Sequence, residues 1–391
     1  MAAKRVSVPR AVLDNPEILN DSHIRGLLTS KKPPVAAQRD EYEPCEIEFE
    51  IVTSFDYDKA LPVIDKFKWR TDSDARFKNN TYAGPYYYKA EEAVFAGQMN
   101  KGIREGRGFL SYADGSLYEG YFERDTTNIC GRVIFDNGDV FEGEISDRNM
   151  NGNGIYYNNS AGSKYTGQFK DDMPHGKGKE EWEDGTFYEG GFSEGSKHGK
   201  GLFRTKEGSI YEGEFKKGAF SGKGTFTTAN KTKIKGTWKS AELQSPAEIT
   251  YEDGKTYQGD VNKDMKPHGN GVILGPKKRY SGTFKNGSLD GEVITTYPGG
   301  ESRRSVYKEG IFVKWVEMSE LETPFKSERE SSLMKATSKH TINTLTQING
   351  GIMANPVTPQ LIESSQPRQS MGSSKDTSKA EGEKKPRCLC C

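Results

Sequence analysis

The sequence lacks several features that would mark common protein classes. Only 33% of its 391 residues are hydrophobic, which is low for an enzyme with a thick core. The 56 basic residues are balanced by 56 acidic ones, whereas nucleic-acid binders usually show a basic excess. No run approaches the roughly 18 apolar residues that span a bilayer, and we expect no signal peptide. Five cysteines, three of them in the last four positions, favour a reducing intracellular compartment over a disulfide framework.

Glycine, in contrast, is plentiful and regularly placed. Of 44 glycines, 37 lie between Phe95 and Gly300. A Tyr-x-Gly pattern recurs there nine times, every 23 residues except for one interval of 24. The third position is always glycine, and the fifth is large and apolar. The framework pairs that begin with tyrosine are Tyr118 and Gly120, Tyr165 and Gly167, Tyr188 and Gly190, Tyr211 and Gly213, Tyr257 and Gly259, and Tyr280 and Gly282.

Six of the nine units also contain a Gly-x-Gly pair, and four end in an Asp-Gly or Asn-Gly dipeptide, which is typical of tight turns. Apolar and polar residues alternate with a period of two, which indicates half-buried strands. Each unit therefore reads as strand, loop, strand and turn, and nine units predict about 18 strands. The seventh unit has Ser245-Pro246 in place of Gly-x-Gly, so a regular hairpin is not expected there.

The segment from Gly218 to Thr225, GAFSGKGT, is similar to a phosphate-binding loop. Such a loop needs four residues between its glycines and a Ser or Thr directly after the lysine. Here three residues separate the glycines, and Gly224 follows Lys223. The same pattern recurs in other units, as at His175, His198 and Asn151. We therefore interpret the segment as one copy of a repeated turn.

The repeated unit YEGEFKxGxxxGKGTF resembles the MORN repeat (membrane occupation and recognition nexus). The resemblance covers Phe95 to about Gly300 and implies an all-β fold, an elongated single-layer antiparallel sheet of stacked hairpins. Members of this family act as scaffolds at membranes, the cell cortex and cilia, or as appendages of lipid kinases and a lysine methyltransferase. No catalytic partner domain is recognisable in this sequence, so we expect no enzyme, no catalytic residues, no metal and no cofactor.

The array is predicted to span 93–316, with a tenth, fraying unit that ends at Trp315. We expect a flexible N-terminal segment over 1–45 and a small capping segment over 46–92. The capping segment is predicted to contain a strand at 46–52 and a helix at 59–69. The tail, 317–391, is rich in Ser, Thr, Lys and Gln and is predicted to be disordered.

Three groups of side chains in the array invite a functional interpretation. His175, His198 and His268 recur near one repeat position, but loop residues beside a glycine are the favoured interpretation over a metal site. A stripe of lysines that would suit anionic lipid is more simply a solvated face, and it comprises Lys177, Lys179, Lys197, Lys200 and Lys223. Exposed aromatic residues on an open sheet face would form a groove for protein partners.

The C-terminal residues give the most specific local signal. Cys388, Cys390 and Cys391 follow a basic stretch, KKPR, at the end of the tail. This ending resembles double-cysteine geranylgeranylation sites, and it also fits a Cys-a-a-X box on Cys388 with later palmitoylation. One lipid holds a protein marginally, whereas two lipids, or one lipid and basic residues, hold it stably. An unmodified tail with free thiols is the alternative.

The sequence thus predicts a non-enzymatic scaffold that binds protein partners along its sheet and is tethered to a cytoplasmic membrane face by a lipidated C-terminus. One alternative is an axonemal or cytoskeletal component that resembles radial-spoke MORN proteins. Another is a regulatory subunit of a lipid-modifying enzyme. We expect an intracellular location at a membrane, the cell cortex or a cilium. The sequence is compatible with a homodimer, and a nucleic-acid partner is not expected.

Overall fold

The computed structural model describes residues 4–9, 21–30, 42–50, 76–127, 129–146 and 148–317. These residues form 23 β-strands, and one α-helix lies wholly within them, which confirms the predicted all-β class. They divide into two compact units. The first contains the described residues up to 206 together with Glu214–Ala219, and the second contains Glu207–Gly213 and the described residues from Phe220 onward.

Four elements precede the repeats: β1 (Lys4–Pro9), α1 (Ser22–Thr29), β2 (Tyr42–Glu50) and β3 (Thr81–Tyr88). The first unit continues with β4 (Ala93–Asn100), β5 (Ile103–Tyr112), β6 (Leu117–Phe122), β7 (Cys130–Ile134), β8 (Val140–Ser146), β9 (Asn149–Asn158), β10 (Ser163–Lys170), β11 (Met173–Trp182), β12 (Phe187–Ser193) and β13 (Ser196–Arg204). Residues of both units occur in β14 (Ile210–Lys216) and β15 (Ala219–Thr227). The second unit continues with β16 (Lys233–Lys239), β17 (Glu242–Thr250), β18 (Thr256–Val261), β19 (Pro267–Leu274), β20 (Arg279–Lys285), β21 (Ser288–Thr296), β22 (Ser302–Lys308) and β23 (Ile311–Val316).

The N-terminal part differs from the expectation of a flexible segment over 1–45. Both β1 and α1 lie within that range. β1 pairs with β2 in parallel, and β2 pairs with β3 in the antiparallel sense, so these strands extend the sheet ahead of the first repeat. The strand predicted at 46–52 overlaps β2, which begins at Tyr42. The helix predicted at 59–69 and the tail from 318 lie outside the described residues.

The two strands of a repeat are joined by a two-residue turn. In the fifth repeat Ser193 pairs with Ser196, and the residues between them, Glu194 and Gly195, have φ values of 49° and 75°. Two successive positive φ values are typical of the turn whose twist matches that of the strands. The Asp-Gly dipeptides lie between hairpins, as predicted, and the carboxylate of Asp184 accepts a 2.9 Å hydrogen bond from the backbone N–H of Thr186.

The Gly-x-Gly pairs lie inside second strands, which corrects their assignment to loops and turns. The segment from Ala219 to Thr227 is strand β15, and the chain reverses before it, at Lys217-Gly218. The glycines of neighbouring strands pair with one another. In the first unit they form one continuous row, made of Gly97, Gly108, Gly120, Gly131, Gly143, Gly154, Gly167, Gly178, Gly190 and Gly201.

A tyrosine ring lies over this row in most repeats and explains the glycines. A Cβ at Gly190 would stand 2.6 Å from Tyr188 Oη and 2.5 Å from Gly201 Cα. The Tyr188 hydroxyl reaches across the row and donates a 2.8 Å hydrogen bond to the carbonyl of Gly191. Burial raises the pKa of Tyr188 well above its usual value, so the phenol remains a donor at physiological pH.

Rings of successive repeats interlock on this face. Tyr165 meets Phe169 of its own repeat at 5.0 Å between centroids and Phe192 of the next repeat at 4.9 Å, both edge-on. Tyr188 then meets Phe192 at 5.1 Å. Each such pair contributes about 0.5–1.5 kcal/mol beyond its burial. The array is therefore stabilised through contacts between neighbouring repeats, as in other repeat proteins.

The seventh repeat forms a hairpin although its sequence argues against one. Strands β16 and β17 pair in the antiparallel sense, and Trp238 lies opposite Leu243. Ile234 replaces the tyrosine, so no phenol ring covers Gly236. A Cβ at Gly236 would instead lie 2.6 Å from Leu243 Cδ1. The Leu243 side chain therefore fills the space of the missing ring, so this repeat does not need a Gly-x-Gly pair in its second strand.

The first repeats are covered on both faces. Every residue of β6 and β7 is buried, whereas β14 alternates between buried and exposed residues. Helix α1 contributes to this cover because Ile24 and Leu28 are buried and the helix contacts β3 and β4. The carboxylate of Asp21 caps the helix and accepts a 3.1 Å hydrogen bond from Tyr82 Oη. A polar contact thus anchors the start of the helix to β3.

A buried ion pair between the fourth and fifth repeats replaces apolar residues. Lys197 Nζ lies 2.7 Å from Glu180 Oε2, and both side chains are almost fully buried. The ammonium also lies over the rings of Trp182 and Tyr188, at 4.7 and 5.5 Å from their centroids. Other repeats have apolar side chains at these two positions, such as Leu243 and Leu289 for the lysine and Phe203 for the glutamate.

We expect Gly190→Ala to lower the free energy of unfolding by roughly 1–3 kcal/mol, because the new Cβ overlaps the Tyr188 hydroxyl and the paired strand. Gly299→Ala is the matched control, since nothing lies within 4 Å of its Cβ position. Urea denaturation measures both changes. Equal denaturation midpoints for the two variants would show that the ring does not require the glycine.

Removal of Lys197 alone should be costly, whereas removal of the whole pair should not. Lys197→Met leaves Glu180 buried without its cation and is expected to cost about 3–5 kcal/mol. The double variant Lys197→Met, Glu180→Leu restores the apolar pattern of other repeats. Its free energy of unfolding is expected to lie within about 1 kcal/mol of the wild-type value. A double-mutant cycle by urea denaturation measures the coupling. Additive effects of the two changes would contradict this account.

Candidate functional site

The last hairpin of the described chain exposes the largest apolar surface. This terminal hairpin consists of β22 and β23, joined by a turn at Glu309-Gly310 with φ values of 50° and 85°. Four of its apolar side chains are exposed, at 72%, 42%, 53% and 53%, and we call them the terminal patch: Ile311, Phe312, Val313 and Trp315. Outside β1 and β2, the rest of the described chain exposes one further large hydrophobic side chain, Ile103, at 38%. Clustered exposure of this kind marks an interaction surface.

The exposure follows from substitutions in the repeat framework. Arg303 stands where other repeats have the covering tyrosine, and Ser305 stands where they have the third-position glycine. Ser305 is fully buried, and its hydroxyl donates a 3.3 Å hydrogen bond to the carbonyl of Val293. Because this repeat lacks the tyrosine ring, the aromatic side chains of β23 have nothing to pack beneath. They remain at the surface of the hairpin.

The aromatic residues of the terminal hairpin form a small cluster of their own. Tyr307 meets Phe312 edge-on at 5.9 Å, and Phe312 meets Trp315 at 4.9 Å. The Arg303 guanidinium lies between two rings, 5.7 Å from the centroid of Trp315 and 5.9 Å from that of Tyr297. Tryptophan, tyrosine and arginine are the residue types that contribute most to protein–protein affinity. The composition of the cluster therefore suits binding of a protein.

The register of β23 is irregular where the patch begins. Tyr307 lies opposite Phe312, but Val306 lies opposite Lys314, so Val313 is an extra residue in β23. Among the described strands, β22 is the single pairing partner of β23. Within the described residues the other side of β23 is thus a strand edge, whose backbone N–H and C=O groups pair with none of the described strands.

The framework residues predicted from the sequence lie on the covered face of the sheet. Tyr118, Tyr165, Tyr188, Tyr211 and Tyr257 are buried, and Tyr280 is half-buried. The aromatic groove expected for partners is therefore not formed by these tyrosines, because their rings lie over the glycine row. The exposed aromatic side chains are those of β23, which the sequence indicated only as the end of a fraying tenth unit.

The lysine stripe is also divided by the structure. Lys197 is buried and paired with Glu180, so it does not belong to an exposed stripe. The Nζ of Lys179 lies 2.5 Å from the carboxylate of Glu181, which neutralises its charge locally. His175, His198 and His268 lie on separate strands, β11, β13 and β19. Within the described ranges, no three His, Cys, Asp or Glu side chains are grouped as metal ligands are.

The C-terminal cysteines, Cys388, Cys390 and Cys391, lie outside the described residues. Within them, the Cys130 thiol is buried between Phe77 and Tyr121. In the part of the chain that the structure describes, no helix is both long enough and apolar enough to cross a bilayer.

Solved structures with some similarity to this chain are distant. The TCP10 domain of CPAP from Danio rerio, in a mutant form, has 12% identity and a TM-score of 0.25, over 54% of this chain and 99% of that one. The SAS-4 (dCPAP) TCP domain of Drosophila melanogaster, in complex with a proline-rich motif of Ana2 (dSTIL), has 15% identity and a TM-score of 0.19, over 51% and 84%. A streptogramin B lyase has 14% identity and a TM-score of 0.12, over 58% and 80%. At these scores none of the three bears on function.

Curated protein sequences give no match to the chain. A family model, that of the MORN repeat, matches four segments, 95–117, 165–187, 188–210 and 211–233. These segments correspond to four of the repeats in which a ring covers the glycine row. MORN repeats are structural and binding units, which indicates a protein of the repeat-scaffold type. The chain therefore contains MORN repeats.

Proposed function

We propose that the protein is a non-enzymatic scaffold that binds a protein partner through one part of the chain and a membrane through another. The interlocked repeats form a frame, the terminal patch binds a protein partner, and the C-terminal cysteines carry lipid that holds the protein at a cytoplasmic membrane face. The observation that supports the binding role most directly is the exposure of Trp315 and its three apolar neighbours on an edge strand. Apolar side chains at this level of exposure are stabilised when a partner covers them.

Two features of the chain support protein rather than small-molecule binding. The patch is a strand edge with side chains on both faces, whereas small-molecule sites are concave and largely enclosed. Its cluster includes Trp315, Tyr307 and Arg303, the types enriched at binding hot spots. An edge strand adds main-chain hydrogen bonds to these side-chain contacts.

The tether is supported by the sequence of the tail. Cys388, Cys390 and Cys391 directly follow KKPR, so lipid and basic residues lie side by side. A single lipid chain binds a membrane marginally, and a second chain or a basic cluster makes the attachment stable. Basic residues beside the anchor add about 1 kcal/mol each at an anionic cytoplasmic leaflet.

The tether is tested by intact-mass spectrometry of the protein from its native cells. We expect added mass that matches one or two isoprenoid or acyl groups, because the sequence around the three cysteines resembles lipidation sites. The variant Cys388→Ser, Cys390→Ser, Cys391→Ser should lack the added mass and should leave the membrane fraction. A wild-type tail of unmodified mass would eliminate the lipid anchor and leave the binding role of the array untouched.

The binding role is tested by crosslinking in living cells with the tagged full-length chain. We expect a discrete crosslinked product for the wild type and its loss in the variant Phe312→Ser, Trp315→Ser, since both side chains are exposed and their loss should leave the fold intact. Lys314→Ser, on the same strand, is the matched control and should retain the product. An unchanged product in the double variant would show that partners bind elsewhere.

A further inference from the structure

In three repeats a side chain of the first strand accepts a hydrogen bond at the point where the hairpin bulges. The register of these hairpins shifts beside the third-position glycine, and a glycine of the second strand there has positive φ, as at Gly176 with 66°. The backbone N–H after that glycine donates to the side-chain oxygen of the fourth position of the repeat. The three hydrogen bonds run from Lys177 N to Gln168 Oε1 at 3.0 Å, from Arg107 N to Gln98 Oε1 at 2.8 Å and from Asn270 N to Asp260 Oδ2 at 3.2 Å.

The fifth repeat lacks this acceptor because a glycine, Gly191, stands at the fourth position. The equivalent N–H belongs to Lys200, which follows Gly199 with a φ of 68°. Where the acceptor is present it lies tightly against the bulge glycine, since a Cβ at Gly176 would stand 2.1 Å from Gln168 Oε1. A Cβ at Gly199 would meet no described atom within 4 Å. The space that the acceptor fills in other repeats is therefore open in the fifth.

Two lysines flank this space on the face of the sheet opposite the rings, which we call the open face. Gly190 lies beneath the tyrosine ring, so its neighbour Gly191 belongs to the open face. Lys177 lies directly opposite Gly191 on β11, and Lys200 lies on the other side of it on β13. Both lysines are exposed, and within the described residues neither ammonium group has an ion-pair partner. We call Gly191, Gly199, Lys177 and Lys200 the bulge site.

We propose that the bulge site binds a carboxylate from an acidic segment of a partner protein. In other repeats the ends of glutamine and aspartate side chains occupy the equivalent space, so a carboxylate has the required size and planar shape. It would accept a charge-assisted hydrogen bond from the Lys200 N–H and lie between the two ammonium groups. The chain does not supply this group at Gly191, because a Cβ there would stand 2.3 Å from the carbonyl oxygen of His198.

An acidic segment suits the bulge site better than a lipid surface does. The two lysines lie on strands separated by β12, so their Cα atoms are roughly 10 Å apart across the sheet. Neighbouring carboxylates of one segment can reach both ammonium groups while another carboxylate enters the open space. An extended anionic surface would also meet Glu189 on the open face and Glu194 at the adjoining turn, which are both exposed. Like charges at those positions would weaken its binding.

The hydrogen bond is tested by NMR of the full-length chain, labelled with nitrogen-15 at its lysine amides and titrated with hexaglutamate. We expect a saturable downfield shift of the Lys200 amide, because this N–H gains an anionic acceptor. The Lys177 amide is the internal control and should shift less, since Gln168 already accepts from it. Neutral hexaglutamine should move neither resonance. Equal shifts of the two amides, or no shift of Lys200, would overturn the inference.

Fluorescence anisotropy of labelled hexaglutamate measures the part that the two ammonium groups play. The variant Lys177→Gln, Lys200→Gln should bind at least about tenfold more weakly than the wild type, with an unchanged circular dichroism spectrum. The matched control Lys170→Gln, Lys216→Gln removes two other exposed lysines of the first unit and should bind within about twofold of the wild type. Equal weakening by both variants would reduce the effect to net charge and refute the bulge site.

Two further probes identify the source of the anion. Inorganic phosphate, at the same concentration of negative charge, should shift the Lys200 amide less than hexaglutamate does, because it cannot reach both lysines and the N–H together. An equal response to phosphate would replace the acidic segment with a small anion. Phosphatidylserine vesicles should bind the Lys177→Gln, Lys200→Gln variant as they bind the wild type, and a loss would assign the site to lipid. No residue of the terminal patch takes part, so each of these failures would leave the proposed function standing.

Discussion

The structure depends on one contact, a tyrosine ring laid flat over a row of glycines. The ring of Tyr188 covers Gly190 and Gly201, and its hydroxyl finds a carbonyl on the far side of the row. No side chain fits beneath the ring, so the repeat needs glycine at positions whose backbone conformation alone would admit other residues. The face of the sheet that carries these rings has few aliphatic side chains, and a single layer of aromatic rings forms its densely packed core. This explains how a chain with 33% hydrophobic residues sustains so many strands.

The same contact sets the tolerance of the array to substitution. Where Ile234 replaces the tyrosine, the Leu243 side chain fills the space above Gly236, and the repeat does not need a Gly-x-Gly pair in its second strand. Where an acid, Glu180 of β11, enters the apolar row, Lys197 of β13 neutralises it beneath two aromatic rings. The repeat thus accepts a change when a neighbouring side chain fills the same volume or balances the same charge.

The sequence predicted the repeats because their constraints are local and recur every 23 residues. It correctly placed the Asp-Gly turns, since Asp and Gly themselves signal positive φ. It did not predict the turns within hairpins, because Glu194 and Lys217 adopt positive φ although glutamate and lysine rarely do so. It placed Gly-x-Gly in loops because the reason for those glycines, a ring from the neighbouring strand, is not visible in one segment. The burial of Lys197 was missed for the same reason, since its partner Glu180 lies in another repeat.

The exposure of the terminal patch depends on two strands, since Arg303 and Ser305 lie in β22 and the apolar side chains lie in β23, so no single segment predicts it. Repeat arrays need covered ends, because the end hairpin otherwise presents a core face to water. At the start of the array, α1 and β3 provide this cover within the chain, anchored by the Asp21 carboxylate. At β23, Arg303 and Ser305 replace the tyrosine and the glycine, and Trp315 stays exposed. A charged residue and a buried hydroxyl close the aromatic row without covering the last strand. Under the function proposed above, a partner molecule would cover that strand and supply the free energy of its burial.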